Sequence, residues 1–156
     1  MDLTIDVEDY KLNIRATCII RHNNKVLFHR NIKSDHYCII GGRIAIGENS
    51  EETVKREILE ELGKEVEITG YASTIENFFV MSGKKYHEIM FIYFAEFINE
   101  EDKKIEYSLE NCEGNEDLTY EWIDINKIDE YPIKPNVIKD LIKEDTFPVH
   151  IINIDK

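Results

Sequence analysis

Residues 42–63 read GRIAIGENSEETVKREILEELG, and within them Glu57, Glu60 and Glu61 follow one another at positions i, i+3 and i+4. In a helix this spacing places three carboxylates on one face. Like charges at this spacing repel one another, whereas a divalent cation that takes oxygen ligands would turn the repulsion into attraction. A charge run taken alone is usually a solvated helix face, so the three carboxylates by themselves leave both interpretations open.

The same segment carries the signals that begin and end a helix. Asn49 is placed to cap the N-terminus, and Glu52 follows three residues later as its partner in a capping box. Gly63 is placed to end the helix, because glycine readily adopts the left-handed conformation found after many helices. Between these residues runs an apolar stripe at helical spacing, made of Val54, Ile58 and Leu62. We therefore expect a helix with one buried stripe and an acidic face beside it.

Size and composition narrow the class of protein. The chain has 156 residues, 42% of them hydrophobic, which is enough for one domain with a core, and we expect residues 1–156 to form a single domain. The net charge of −13 and the absence of a basic patch argue against a nucleic acid duplex as partner. No apolar run suits a membrane span, and the acidic N-terminus does not resemble a signal peptide. Three cysteines without metal spacing suggest reduced thiols, so we expect a cytoplasmic protein.

Strand patterns dominate the rest of the chain. We expect strands at residues 12–20, 25–30, 37–40, 65–80, 86–97, 118–123 and 150–154. Residues 65–97 predict a hairpin that turns at 82–84, and residues 99–117 predict a polar loop interrupted by Ile105–Tyr107. Pro135 is placed to open a last helix. Helices inserted between runs of strands indicate an α+β fold, with a mixed sheet held between helices.

The spacing of the acidic segment resembles the signature box of the Nudix hydrolases, a family that includes the MutT proteins. That pattern is G, five residues, E, seven residues, then R-E-U-x-E-E-x-G-U, where U is a bulky aliphatic residue. The chain matches every specified position from Gly42 to Gly63 and departs only at the last one, where Lys64 replaces the aliphatic residue. The resemblance implies an α/β/α sandwich in which the box forms a loop, a helix and a second loop.

The resemblance also implies roles for the residues of the box. The implied ligands of Mg²⁺ or Mn²⁺ are Glu57, Glu60, Glu61 and the backbone carbonyl of Gly42. Arg56 and Glu48 would form an ion pair that orients the catalytic helix. The implied reaction is hydrolysis of a pyrophosphate bond in a nucleoside diphosphate linked to another group, such as ADP-ribose, a nucleotide sugar, a dinucleoside polyphosphate or a nucleoside triphosphate. The alternative is a Nudix-fold sensor that binds a nucleotide without cleaving it.

Several residues outside the metal ligands are candidates for the remaining roles. The candidates for the general base are Glu57, Glu88, Glu110, Glu113 and Glu116, and we favour Glu113 because the following glycine suggests a turn. We expect Arg15 or Arg30 to contact phosphate and Phe79 to stack on a base, although solvated arginines and cross-strand aromatic pairs are common. Homodimer formation stays open, with strand 86–97 or the C-terminal segment as a candidate interface.

Overall fold

The computed structural model describes residues 1–104 and 109–155, so the interruption expected at Ile105–Tyr107 lies outside the described residues. Within the described part, the strands are β1 (Thr4–Val7), β2 (Tyr10–His22), β3 (Lys25–Asn31), β4 (Cys38–Arg43), β5 (Val66–Met81), β6 (Lys84–Phe97), β7 (Leu118–Asp124) and β8 (His150–Ile154). The α-helices are α1 (Ser50–Leu62) and α2 (Val137–Glu144), and short 3-10 helices occupy Glu100–Lys103 and Ile125–Glu130.

The strands form one mixed sheet in the order β7-β3-β4-β2-β6-β5-β8, with β1 paired to β2. Strands β2 and β6 are parallel, as are β5 and β8, and the other pairs are antiparallel. The predicted strand 86–97 corresponds to β6, which lies inside the sheet between β2 and β5. Its backbone is therefore already paired on both sides, whereas β8 forms one end of the sheet.

The sheet lies between the two helices because each face carries its own apolar cluster. Val54, Ile58 and Leu62 of α1 pack with Ala16, Cys18 and Ile20 of β2 on one face. Ile138, Leu141 and Ile142 of α2 belong to a second cluster, which contains Ile19 of β2. Successive side chains of a strand point to opposite faces, so β2 contributes to both clusters and is buried between them. This arrangement confirms the predicted α+β class and the sandwich with a mixed sheet between helices.

Helix α1 begins and ends as its sequence predicts. The Asn49 side chain accepts a hydrogen bond from the Glu52 amide at 2.9 Å, and the Glu52 carboxylate accepts one from the Asn49 amide at 3.0 Å. Gly63 has φ = 66° and donates its amide hydrogen to the Leu59 carbonyl oxygen at 2.9 Å. Both ends therefore satisfy backbone groups that a helix otherwise leaves unpaired.

The structure differs from the sequence-based expectations in a few elements. Strand β1 and the 3-10 helix at Ile125–Glu130 were not expected, and α2 begins at Val137 rather than at Pro135. Lys64, at the position where the signature has an aliphatic residue, places its Nζ 2.8 Å from Oδ1 of Asp102. The charge therefore lies in an ion pair, and the residue is accommodated without an apolar side chain.

Candidate active site

Strand β4 and helix α1 approach each other closely at Gly42. A Cβ atom at this position would lie no farther than 2.7 Å from each of the three carboxyl atoms of Glu57. The absence of a side chain at Gly42 therefore lets the Glu57 carboxylate lie directly against the strand. The Gly42 backbone and the Glu57 carboxylate, two of the ligands that the resemblance implies, therefore lie next to each other.

The guanidinium of Arg56 lies among the acidic side chains of the box. Its Nε and Nη2 donate to the two carboxylate oxygens of Glu48 at 2.7 and 2.9 Å, which is the bidentate geometry of a strong ion pair. Its Nη1 donates to Glu57 at 3.0 Å and to Glu60 at 3.1 Å, and its Nη2 also donates to the carbonyl of Arg43 at 3.2 Å. The Arg56 guanidinium holds the pKa of Glu48 down to about 2, and Glu48 in turn raises the pKa of Arg56. The ion pair expected from the resemblance is present.

Glu61 is more deeply buried than Glu57 and Glu60, with only 8% of its surface exposed. Burial, together with the nearby charge of Glu57, raises its pKa to about 7, although the hydroxyl of Tyr120 donates to its Oε2 at 3.2 Å. His29 places Nδ1 3.8 Å from the same oxygen. Burial lowers the pKa of His29 to about 4, so at neutral pH the ring is neutral and the contact is not an ion pair.

The loop before β7 approaches the C-terminal end of α1. The Cys112 amide donates to the Glu61 carbonyl at 2.8 Å, and the Cys112 thiol donates to the Glu60 carbonyl at 3.2 Å. These contacts bring Glu113 near the carboxylates. Burial raises the pKa of Glu57, and the charges of Glu60 and Glu113 raise it further against the opposing effect of Arg56. The loop therefore adds a carboxylate to an already acidic region.

A cavity of about 650 Å³ extends from the start of the signature over the neighbouring strands. Gly42, Arg15 and Phe79 line it, together with Arg43 and Tyr86. The rings of Phe79 and Tyr86 stack with their centres 4.7 Å apart. This volume is within the range of pockets that bind small molecules.

The structure does not bring Arg30 into this cavity. Its Nε donates to the Ser34 carbonyl at 3.1 Å, and its guanidinium lies 5.5 Å from the centre of the Tyr37 ring. Glu110 and Glu116 are both exposed, and Glu110 pairs with Thr119 in an isolated backbone bridge. These three residues therefore do not join the cluster around Arg56.

Comparison with known proteins agrees with this geometry. The family model described as NUDIX domain matches residues 11–141. The chain belongs to the Nudix family. No curated protein matches the sequence at a significant level. The family assignment therefore covers most of the chain, well beyond the box, and confirms at that level the prediction of a pyrophosphohydrolase.

Solved Nudix structures share the fold at low sequence identity. A MutT protein from Bacillus halodurans is 20% identical with a TM-score of 0.66, over 91% of this chain and 89% of that one. A MutT protein from Methanosarcina mazei Go1 is 20% identical with a TM-score of 0.60, over 89% and 95%. An ADP-ribose pyrophosphatase from Streptococcus suis 89-1591 is 13% identical with a TM-score of 0.60, over 92% and 98%. At these identities the likeness establishes the fold and leaves the substrate open.

The Nudix box of this chain has the donor chemistry of a site for a hard divalent cation. Among residues 1–104 and 109–155, no group of three His, Cys, Asp or Glu side chains converges closely enough to enclose a metal ion. The reason is that Glu57 and Glu60 contact Arg56, whereas Glu61 contacts Tyr120. The raised pKa values of Glu57 and Glu61 are what a cation would relieve, since it favours the ionised form. The oxygen donors therefore fit Mg²⁺ or Mn²⁺ once the contacts to Arg56 rearrange.

Sequence reasoning missed the residues that hold Glu61 from outside the box. Tyr120 donates to Glu61 and itself accepts from Asn111 at 3.0 Å, and His29 lies on the adjacent strand. None of them stands in a motif, because their proximity arises from strand pairing and from the loop contact of Cys112. Within residues 1–104 and 109–155 no helix is long and apolar enough to cross a membrane.

Proposed function

We propose that this Nudix protein hydrolyses the pyrophosphate bond of a nucleoside diphosphate linked to another group, in the presence of Mg²⁺ or Mn²⁺. ADP-ribose, nucleotide sugars, dinucleoside polyphosphates and nucleoside triphosphates are the substrate classes to test. The observation that carries the proposal is the concentration of carboxylates around Arg56, of which Glu57 lies against Gly42, a residue that also lines the cavity of about 650 Å³. Family membership and the MutT and ADP-ribose pyrophosphatase folds among the neighbours support it.

The proposed metal ligands are Glu57, Glu60, Glu61 and the backbone carbonyl of Gly42. A bound divalent cation neutralises the charge on pyrophosphate oxygens and lowers the pKa of water. Arg56 and Glu48 act as positioning residues, because their bidentate ion pair and the bond from Arg56 to the Arg43 carbonyl fix the loop before α1 against the helix. Arg15 in the cavity wall offers a positive charge to phosphate, and the exposed edge of the Phe79–Tyr86 pair offers an apolar surface to a base.

Glu113 is the proposed general base. Its charge raises the pKa of both Glu57 and Glu61, so it acts on the same region, and its place in a loop allows it to approach an attacking water. Glu57 is the alternative within the helix. The rival Glu88 lies in β6 on the face of the sheet that carries α2, behind the carboxylates of α1. We therefore assign Glu88 no part in proton transfer.

A substrate panel with product identification tests the proposal. The wild-type protein should release phosphate-bearing products from at least one compound with Mg²⁺ and none when the metal is chelated. Glu60→Gln should lower kcat at least tenfold, because it removes one proposed ligand. Glu51→Gln is the matched control, since Glu51 is an exposed glutamate in the first turn of the same helix. Binding without turnover across the whole panel would favour a non-catalytic sensor, and an unchanged rate in Glu60→Gln would contradict the metal assignment.

A further inference from the structure

A row of polar side chains crosses four adjacent strands beside the cavity. Asn13 of β2 is the register partner of Glu88 of β6, Glu88 is the partner of Asn77 of β5, and Asn77 is the partner of Asn153 of β8. Asn13 is 4% exposed and Asn77 and Glu88 are each 3% exposed, yet all three line the cavity. Polar groups this deeply buried need partners. We call Asn13, Glu88 and Asn77 the polar row.

The carboxylate of Glu88 is only weakly satisfied by its neighbours. One oxygen accepts from Asn13 Nδ2 and the other from Asn77 Nδ2, each at 3.5 Å, which is at the outer limit for a hydrogen bond. In the part of the chain that the structure describes, no Lys, Arg or His forms an ion pair with Glu88. The Asn77 amide is itself held from behind, because Asn153 donates to its oxygen at 2.8 Å. The row is thus fixed on one side and has unused acceptor capacity at Glu88.

The unused capacity of Glu88 selects among the nucleobases. A carboxylate only accepts hydrogen bonds, and it accepts best from two donors side by side. Guanine presents such a pair on its Watson–Crick edge, the ring N1–H and the exocyclic amino group. Adenine, cytosine and uracil each place an acceptor next to their donor on that edge, and the acceptor would face the negative charge of Glu88. The aromatic rings of Phe79 and Tyr86 in the same cavity provide a surface on which a base can stack.

The distance from the polar row to the box suits a nucleoside diphosphate. Gly42 pairs with Ala16 of β2, and Asn13 lies three residues farther along that strand, which is about 10 Å at a rise of ~3.3 Å per residue. Glu88 lies two strand spacings from β4, again about 10 Å. The diagonal between backbones is about 14 Å, the reach of a base, a ribose and two phosphates. Because Glu88 lies on the face of the sheet that carries α2 and the carboxylates of α1 lie on the other face, the phosphates would pass the end of β4 at Gly42 and Arg43, both of which line the cavity. Arg15 lies between the two ends on the same face as Asn13.

We infer that the polar row binds the N1–H and amino edge of guanine through Glu88, so that the substrates are guanosine diphosphate derivatives. This inference rests on the proposed pyrophosphate hydrolysis and narrows its substrate class. Asn13 and Asn77 hold the carboxylate in the cavity wall, and Glu88 is a specificity residue that contacts the base away from the bond that is cleaved.

Titration calorimetry with the whole protein and Mg²⁺ tests the inference. The ligands are GDP, IDP, ADP, CDP and UDP, of which IDP differs from GDP only by the missing amino group. Wild-type protein should bind GDP roughly tenfold to hundredfold more tightly than each of the others. Glu88→Gln should remove this preference, because an amide offers one donor where guanine needs an acceptor. Glu96→Gln, a change of an exposed glutamate on the same strand, should leave it intact. Thermal unfolding of both variants checks that they fold.

The comparison of GDP with IDP in wild-type protein decides the inference even if Glu88→Gln fails to fold. Equal affinity for the two, tighter binding of another base, absence of binding, or a GDP preference that persists in Glu88→Gln would each overturn it. A GDP preference in a protein that cleaves no guanosine compound would overturn the proposed hydrolysis and leave the base-binding site standing. Turnover of other nucleotides without any GDP preference would overturn the guanine-binding inference and leave the proposed hydrolysis standing.

Discussion

Substitution of single glycines by alanine separates the roles of three positions in the sheet. At Gly42 the new Cβ would lie at most 2.7 Å from the Glu57 carboxyl atoms, against about 3.5 Å for ordinary contact, so the carboxylate must retreat by roughly 1 Å. A flexible side-chain end can make this movement, at the cost of the 3.0 Å hydrogen bond from Arg56. We expect Gly42→Ala to lower the free energy of unfolding by about 1 kcal/mol, which is the usual contribution of one hydrogen bond. Activity should fall about 100-fold, as for other misplacements of about 1 Å in an active site.

The same substitution at two other glycines provides the comparison for this prediction. At Gly41 the new Cβ would lie 2.6 Å from the Thr17 Cα and closer still to the Ala16 carbonyl oxygen, both of which belong to the backbone of β2. We expect Gly41→Ala to destabilise the fold by about 3 kcal/mol or more, because a strand cannot move aside as a side chain can. At Gly70 the nearest atom would be Phe94 Cδ2 at 3.4 Å, so Gly70→Ala should be close to neutral.

Thermal unfolding and initial rates on the best substrate of the panel, measured for all three variants, check this reasoning. The expected pattern is a large loss of activity with a small loss of stability at position 42, a large loss of stability at position 41 and little change of either at position 70. A folded Gly42→Ala protein with activity within threefold of wild type would refute the claim that the Glu57 position matters. So would equal losses of activity in Gly42→Ala and Gly70→Ala.

Three further predictions concern the carboxylates. Because Arg56 lowers the Glu48 pKa from 4.5 to about 2, Glu48 stabilises the fold above pH 4.5 and loses this effect as pH falls towards 2. Glu48→Gln should therefore cost about 3 kcal/mol at pH 7 in urea unfolding, and a difference from wild type that stays constant between pH 4.5 and 2 would contradict this. Tyr120→Phe removes the donor to Glu61 and should lower the unfolding free energy by about 1 kcal/mol, so an unchanged urea midpoint would argue against that bond. Calorimetry should detect Mg²⁺ uptake by wild type and at least tenfold weaker uptake by Glu61→Gln, whereas no heat with wild type, with or without nucleotide, would rule out the metal assignment.

The parts of the fold that could be predicted are those with local causes. The capping box at Asn49 and the glycine end at Gly63 lie within one or two turns of the residues that they satisfy, so the sequence contains the whole interaction. The Arg56–Glu48 contact spans eight residues and belongs to a motif of fixed spacing. The hairpin of β5 and β6 closes through two residues at Ser82 and Gly83, which is also a local feature.

The residues that surround the box could not be predicted because strand pairing brings them there. Tyr120 is 59 residues away from the Glu61 carboxylate that it contacts. Asn13 and Glu88 are 75 residues apart, and each alone looks like an ordinary polar residue in a strand. Arg30 is a basic residue on a predicted strand, and nothing in the sequence around it indicates that its side chain turns to Ser34 and Tyr37. Without the pairing of β2 with β6, neither the cavity nor the polar row can be assembled.

Helix α1 is built against the usual preferences at its C-terminal end. Glu60 and Glu61 lie in the last turn, which has no basic residue, although the negative end of the helix dipole disfavours carboxylates there by about 0.3–1 kcal/mol each. Burial also opposes the ionisation of Glu61 and raises its pKa, so a charged carboxylate at this position is unfavourable for a second reason. The caps at Asn49 and Gly63 and the buried stripe offset this cost within the helix. Stability alone would favour lysine or arginine in that turn, so the departure from helix preferences coincides with the proposed metal site.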